Sequence, residues 1–261
     1  MSGMNFVKLA ALAAVLLLPV TTAAHAEDAW RKVRIAVEGV YPPFNYYDHG
    51  KLTGFDVEIG AAMCQSMKVE CEWVTQEWDG MIPGLLAGKF DAIVASMRNT
   101  EERSKVISFS NKYYATPAVF MTYKGSGIAD ISPDALAGKV IGVQSATVQQ
   151  TFLEKKYSKS ELKTYAKAED ANADLAANRV DVVLNDKVLL AAWIKQSPDG
   201  ECCELVGPDL NDPADWGPGM SVAVRKEDAK LREMFNSAIA EIRENGTYKT
   251  INDKYFDFSV Y

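Results

Sequence analysis

The sequence predicts an α/β fold of two lobes, each a mainly parallel sheet flanked by helices. Strand-like and helix-like segments alternate in β-α-β-α-β order, which is typical of parallel sheets. In the first half these segments are 33–37, 54–63, 72–75, 78–87 and 92–95. The alternation then begins again, with segments at 118–123, 140–143, 162–165 and 168–177.

An internal repeat supports two similar lobes. Residues 86–96 align with residues 176–186: a helix end, a turn residue, a base, an apolar residue, Asp, and a strand that ends in a polar group. Chance is the alternative explanation, because β-turn-α units share these features. A true repeat would place Ser96 and Asp186 at corresponding strand ends. The cleft between two such lobes is a preferred position for a small-molecule site.

Residues 1–26 have the features of a secretory signal peptide. Lys8 is followed by an apolar stretch at 9–20 that is too short to span a bilayer, and residues 24–26 form a small-x-small cleavage site. A membrane anchor is the alternative. No Cys lies at the cut, so we expect no lipid anchor.

Composition excludes several classes of function. The 261 residues include 35 acidic and 28 basic side chains, which argues against a nucleic-acid partner. Of two His, His25 lies in the signal peptide and His49 in a predicted turn, so a Ser-His-Asp arrangement is not expected. An enzyme that uses Glu38 or Asp186 as its acid or base stays open as an alternative.

The four Cys form two unlike pairs. Cys64 and Cys71 are separated by a spacing that can fold back and bridge, and export favours a disulfide over a metal pair. Cys202 and Cys203 are adjacent. A strained vicinal disulfide, free thiols and another partner are all open for this second pair.

The stretch 90–103 carries the first candidate ligand groups. A buried strand ends there, and Thr100 is expected to cap a helix, so the two elements form a crevice. Ser96 offers a hydroxyl, and the Arg103 guanidinium can hold a carboxylate through two parallel hydrogen bonds. An ordinary surface Arg is the alternative.

Other residues suit the remaining parts of a small zwitterion. The amides of Thr147 and Val148 open a helix and can hold an anion, while Asp186 suits an ammonium group. Glu38 suits a distal positive charge. Tyr41 and Trp78 are predicted to form flat apolar walls of the site. The candidates are Glu38, Tyr41, Trp78, Ser96, Arg98, Arg103, Thr147, Val148 and Asp186.

Each assignment has a structural alternative. Tyr41 and Trp78 can be core aromatics, and Asp186 can cap the helix that follows it. Glu38 and Arg98 can pair with each other as a structural bridge.

Short segments in a fixed order carry a family resemblance; they lie at 41–44, 54–57, 64–71, 78–83, 91–94, 100–103, 142–145, 246–248 and 255–258. With them, the mature chain resembles the periplasmic polar-amino-acid-binding proteins of ABC importers, in particular the lysine/arginine/ornithine- and histidine-binding branch. The resemblance implies the two-lobed type II periplasmic binding protein fold, with the ligand in the interlobe cleft. It places lobe 1 at 27–116 and 211–261 and lobe 2 at 117–210.

The resemblance also implies roles for individual residues. Arg103 and the amides of Thr147 and Val148 match the groups that hold the ligand carboxylate, and Asp186 matches the acid that holds the ammonium. Ser96 matches a further contact to that end of the ligand. Further matches are Glu38 near the distal nitrogen, Tyr41 and Trp78 as aromatic walls, and Cys64 and Cys71 as a disulfide.

Three residues depart from the family pattern: Ala95, Arg98 and Ala146. Arg98 places a cation near the cleft, where the branch usually has Ser. Either Arg98 turns outward, or the ligand carries a second carboxylate, as opines do.

The sequence therefore predicts a periplasmic receptor for a basic amino acid or an opine-like derivative. Its expected partners are that ligand and the membrane permease of an ABC importer, and we expect a monomer without a cofactor. The alternative is a periplasmic enzyme on the same fold, such as a cyclohexadienyl or arogenate dehydratase.

Overall fold

The structure is a computed structural model that describes residue 1 and residues 30–261. Apart from Met1, the predicted signal peptide lies outside the described residues. Within them, no helix combines the length and the apolar character that crossing a membrane requires. The strands are β1 (Lys32–Val37), β2 (Val40–Tyr41), β3 (Asn45–Asp48), β4 (Lys51–Thr53), β5 (Glu70–Thr75), β6 (Ala92–Ile93), β7 (Ser108–Tyr114), β8 (Ala118–Tyr123), β9 (Val140–Gln144), β10 (Glu161–Tyr165), β11 (Val182–Asp186), β12 (Cys203–Leu210) and β13 (Met220–Val224). The helices are α1 (Phe55–Met67), α2 (Met81–Leu86), α3 (Glu101–Ser104), α4 (Val148–Lys156), α5 (Ala168–Ala176), α6 (Lys187–Gln196), α7 (Pro213–Trp216), α8 (Ala229–Glu244) and α9 (Thr247–Tyr255).

Two five-stranded sheets organise the molecule. The first has the strand order β5-β1-β6-β13-β7 and the second β10-β9-β11-β8-β12. Helices α1, α2 and α8 pack beside the first sheet, and α4, α5 and α6 beside the second. A small sheet, β2-β3-β4, follows β1.

Both large sheets are mixed, whereas the sequence predicts mainly parallel ones. β1 is parallel to β5 and β6, and β9 is parallel to β10 and β11. β13 and β8, however, run antiparallel to both of their neighbours. Each of these two strands enters its sheet from a segment that crosses between the sheets, at 115–117 and 211–219. A parallel strand would instead need a crossover connection, usually a helix, that returns the chain to the same edge of the sheet.

The internal repeat is confirmed by the topology. β6 and β11 are each the third strand of their sheet, next to β1 and β9. Before β6, Asp91 Oδ2 accepts a hydrogen bond from the amide of Arg34 at 3.0 Å, and before β11, Asp181 Oδ2 accepts one from the amide of Val140 at 2.8 Å. Both strands are therefore preceded by an Asp that binds the amide of the neighbouring strand. Asp186 is the last residue of β11, and Ser96 stands at the matching position of the repeat, three residues after β6.

Both cysteine pairs are bonded in the structure. Cys64 near the end of α1 is joined to Cys71 in β5, with Cα atoms 6.2 Å apart. Cys202 is joined to its neighbour Cys203 where β12 begins.

Candidate functional site

A cavity lies between the two sheets. It is placed at the carboxyl ends of β1, β6, β9 and β11, where open α/β sheets bind ligands. All nine candidate residues line it: Glu38, Tyr41, Trp78, Ser96, Arg98, Arg103, Thr147, Val148 and Asp186. In particular, Arg103 and Asp186 share this one cavity.

Four further lining residues were not among the candidates: Ala95, Gln144, Gln149 and Asn185. Gln144 is the last residue of β9 and Asn185 lies next to the end of β11. The position at a strand end, which singled out Ser96 and Asp186, was thus a signal for Gln144 and Asn185 as well. Gln149 lies in the first turn of α4, beside the predicted anion-holding amides.

Glu38 follows β1 and is buried, with 6% of its surface exposed. Gln144 donates a hydrogen bond to Glu38 Oε1 through Nε2 at 2.7 Å, which links the two sides of the cavity. Burial raises the pKa of Glu38 to about 7, and the bond from Gln144 opposes that shift. A cationic ligand group beside this carboxyl would favour its ionised form near neutral pH, with release of the proton to solvent.

Trp78 and Arg103 form a second link across the cavity. The Trp78 indole donates to the carbonyl of Ala146 at 3.1 Å, and Arg103 Nη2 donates to the same oxygen at 3.3 Å. The Arg103 guanidinium lies 5.3 Å from the centre of the Trp78 ring. Burial lowers the pKa of Arg103 to about 10, so it remains a cation at neutral pH.

Local geometry explains how Arg103 reaches the cavity. Thr100 caps α3 as predicted, because its hydroxyl oxygen accepts a hydrogen bond from the Arg103 amide at 3.3 Å. Arg103 Nη1 donates to the carbonyl of Arg98 at 3.1 Å, which holds the guanidinium beside the chain that leaves β6.

Arg98 and Asp186 form a buried ion pair, with 4% and 2% of their surfaces exposed. Arg98 Nη2 donates to Asp186 Oδ1 and to the carbonyl of Thr116, the latter at 2.8 Å. The guanidinium lies 5.3 Å from the centre of the Trp216 ring. Arg98 Nε is buried and has no hydrogen-bond partner among the described residues.

This pair corrects three alternatives. Arg98 does not turn outward, because it is buried against Asp186. It does not bridge to Glu38, whose partner is Gln144. Asp186 stands at the N-cap position of α6, but its carboxylate makes no capping hydrogen bond and points to Arg98 and Tyr41 instead.

The Tyr41 hydroxyl faces two acceptors across the cavity, Asn185 Oδ1 and Asp186 Oδ2, both at 2.9 Å. Burial and the neighbouring Asp186 carboxylate raise the pKa of Tyr41 well above 10, so the phenol stays neutral and donates. Tyr41 is 7% exposed and packs against Phe44, which makes it both a core aromatic and a wall of the cavity.

The turn between β9 and α4 leads into a capped helix start beside the cavity. Thr147 caps α4: its hydroxyl accepts from the Gln150 amide at 3.1 Å and donates to the Gln144 carbonyl at 2.7 Å. The Thr147 and Val148 amides lie at the cap and in the first turn, where N–H groups have no intrahelical acceptor. Together with Arg103, they give the cavity a cluster of donors suited to a carboxylate.

Comparison with known proteins decides the family. The profile described as bacterial extracellular solute-binding proteins, family 3, matches residues 33–258. The chain belongs to this family.

This family 3 protein is 42% identical over 257 residues to the L-arginine-binding protein of Pseudomonas aeruginosa, covering 97% of this chain and 98% of the relative. It is 37% identical over 254 residues to the lysine/arginine/ornithine-binding periplasmic protein of Escherichia coli (strain K12), covering 96% and 97%. An ancestral arginine-binding protein bound to arginine superimposes with a TM-score of 0.80 at 31% identity, covering 87% of this chain and 99% of that one. The predicted fold class and family are confirmed. These relatives are binding proteins, which favours the receptor over the dehydratase.

Proposed function

We propose that this family 3 protein is the periplasmic receptor of an ABC importer and encloses an amino acid between two lobes. The lobes are residues 27–116 with 211–261, and residues 117–210. The observation that carries the proposal is the shared cavity of Arg103 and Asp186, groups of opposite charge on opposite sides. A zwitterion has matching poles, and each buried pole needs a partner.

In the proposed complex, Arg103 and the amides of Thr147 and Val148 hold the ligand carboxylate. Asp186 and Ser96 hold the ammonium, and Glu38 meets a distal positive group. Tyr41 and Trp78 enclose the side chain. The similarity to an L-arginine-binding protein supports this assignment for a basic side chain.

An opine-like derivative is the second form of the same proposal. Arg98 lies inside the cavity wall, and its buried Nε–H has no partner within the part of the chain that the structure describes; such a donor calls for an acceptor. A second carboxylate on the ligand's α-nitrogen would supply one. It would also balance the charge that Arg98 adds to the site.

Ligand binding is proposed to stabilise the closed state, because only that state lets one ligand contact both lobes. The closed form would then dock on the permease. We further propose that the protein is exported by the signal peptide 1–26, carries no lipid anchor and acts as a monomer.

Titration calorimetry of the purified protein tests the proposal with L-arginine, L-lysine, L-ornithine, L-histidine and octopine, an arginine whose α-nitrogen carries a second carboxylate. We expect Arg103→Ala and Asp186→Ala each to cost about 2–5 kcal/mol of affinity, because each leaves a buried ligand charge unpaired. The matched control is Arg232→Ala, a surface Arg paired with Glu233, which should leave the affinity unchanged.

Two outcomes would contradict the receptor. Binding that is unaltered in both cavity variants would exclude this site. A new product in the mass spectrum of the incubated ligands would indicate an enzyme instead.

A further inference from the structure

Asp56, in the first turn of α1, is a fully buried carboxyl beneath Ser96, with 0% of its surface exposed. Three neutral groups donate to it. The Tyr113 hydroxyl donates to Oδ1 at 2.7 Å, while the Ser96 hydroxyl and Asn45 Nδ2 donate to Oδ2 at 2.8 and 2.7 Å. None of the roles assigned to the cavity so far uses this carboxyl.

The backbone holds Asp56 in place. Gly54, with φ +119°, precedes α1, and a Cβ there would stand 2.2 Å from the carbonyl oxygen of Phe44. This close approach lets the Asp56 amide donate to that same oxygen at 2.7 Å. The carboxyl is thus fixed relative to the loop that carries Tyr41.

The backbone also holds Ser96 in place. Its backbone is left-handed, with φ 54°, and its amide donates to the Tyr113 hydroxyl at 3.1 Å. Since an ionised carboxylate only accepts, the hydrogen of the Ser96 hydroxyl must point to Asp56. Only the lone pairs of Ser96 Oγ are then left for the cavity.

We propose that Asp56 is a positioning residue that fixes the Ser96 hydroxyl as a hydrogen-bond acceptor, so that the site selects ligands with a protonated α-nitrogen. A ligand ammonium donates to Ser96 Oγ, whereas a ligand without that donor leaves the oxygen unpaired. The inference rests on the proposed function, which supplies the ligand pole that Ser96 meets.

The test measures one ratio: the dissociation constant of 5-guanidinopentanoic acid divided by that of L-arginine. The first compound is the desamino analogue of arginine. In Asp56→Asn, a neutral amide oxygen replaces the charged acceptor of the Ser96 hydroxyl, so that hydroxyl is held less firmly and can turn its hydrogen toward the cavity. We expect the ratio to fall about tenfold or more, the usual effect of one hydrogen bond to a charged group. A merely structural role would weaken both ligands equally and leave the ratio unchanged.

Two further variants make the result specific. Ser96→Ala should lower the ratio in the same way, and the double variant Asp56→Asn/Ser96→Ala should lower it no further. The matched control is Asp91→Asn. This buried carboxyl directly precedes β6 and pairs with Arg34 and Arg225 away from the cavity, so the variant should keep the ratio.

A pH series on the unaltered protein decides the question if Asp56→Asn does not fold. Burial raises the pKa of Asp56 to about 6, against the three donors, so the carboxyl gains a proton below that pH and becomes a neutral, weaker acceptor for the Ser96 hydroxyl. The ratio should fall below pH 6 in the unaltered protein but not in Ser96→Ala. Tyr113 and Tyr114 face Asp56 with pKa values well above 10 and stay neutral, and the cavity carboxyls Glu38 and Asp186 are present in both proteins.

The outcomes separate the two proposals. Failure of every amino acid and of octopine to bind would overturn the proposed function. If another of the tested amino acids binds in place of L-arginine, that amino acid and its desamino analogue supply the same ratio. Binding of L-arginine with an unchanged ratio in Asp56→Asn, or the same pH series in Ser96→Ala, would overturn this inference alone.

Discussion

At the residue scale, Asp186 has partners within the protein for both carboxylate oxygens. Arg98 donates to Oδ1 and Tyr41 to Oδ2. In the proposed complex, a ligand ammonium would therefore replace or join donors that are already in place, instead of pairing with a free carboxylate. The sequence predicted that Asp186 and Arg98 lie at the site, but not that they pair, because pairing depends on side-chain directions that spacing does not fix.

Glu38 provides a pH-dependent prediction. Its pKa rises from 4.5 to about 7 in the fold, so the folded state holds the proton more tightly than the unfolded chain. Relative to Glu38→Gln, the unliganded protein should lose about 3 kcal/mol of unfolding free energy as the pH rises from 4.5 to 7. Chemical denaturation at several pH values measures this difference.

Ligand binding should show the opposite trend. A cationic group beside Glu38 favours its charged form, so affinity for L-arginine should increase through the same pH window, with release of a proton. In Glu38→Gln the dependence in this window should be smaller. Affinity that falls with rising pH in the unaltered protein would contradict the assignment of Glu38 to a distal cation.

At the element scale, caps were easier to predict than strand partners. Thr100 caps its helix as expected, because an N-cap depends on a few adjacent residues. Pro83 lies in the first turn of α2, where a missing N–H costs little. β7 and β12 were missed as strands, since their sequences contain polar residues and alternate imperfectly, and their partners lie far along the chain.

The cap of α4 allows an element-scale prediction. Thr147→Ala removes the acceptor for the Gln150 amide and should lower the free energy of unfolding by about 1 kcal/mol. It also frees the turn that presents the proposed carboxylate-binding amides, so affinity for L-arginine should fall. Thr147→Ser keeps the hydroxyl and serves as the control; urea titration and calorimetry compare the two variants. Equal stability of both variants would contradict a capping role.

At the scale of the whole molecule, the lobes are joined by contacts that carry charge as well as by the chain. Arg98 follows β6 of the first sheet, and it binds the carbonyl of Thr116 in a crossing segment and the carboxylate of Asp186 in the second sheet. The repeat at 86–96 and 176–186 allowed the sequence to predict two lobes and a cleft. It did not predict mixed sheets, since the direction of β8 and β13 depends on how the chain crosses between the sheets.

Arg98→Ser tests this connection. It leaves Asp186 buried without its cation, so the unfolding free energy of the unliganded protein should fall by about 3 kcal/mol. Without the bridge, the unliganded protein should also have a larger radius of gyration in solution scattering, and L-arginine should restore the compact value. The control is Lys159→Ser, which breaks an exposed pair with Asp134 and should change neither quantity. An unchanged radius in Arg98→Ser would contradict a role in closure.

The cavity has one further consequence, for the lifetime of the complex. Its walls belong to both sheets and are joined by hydrogen bonds that Tyr41 and Trp78 donate and Glu38 accepts, so we expect a bound molecule to leave only after the walls separate. Departure is then timed by the motion of the protein and not by the strength of any single contact. Ligands of different size that fit inside would dissociate at similar rates. Their affinities would then differ through the rate at which the walls close around each ligand.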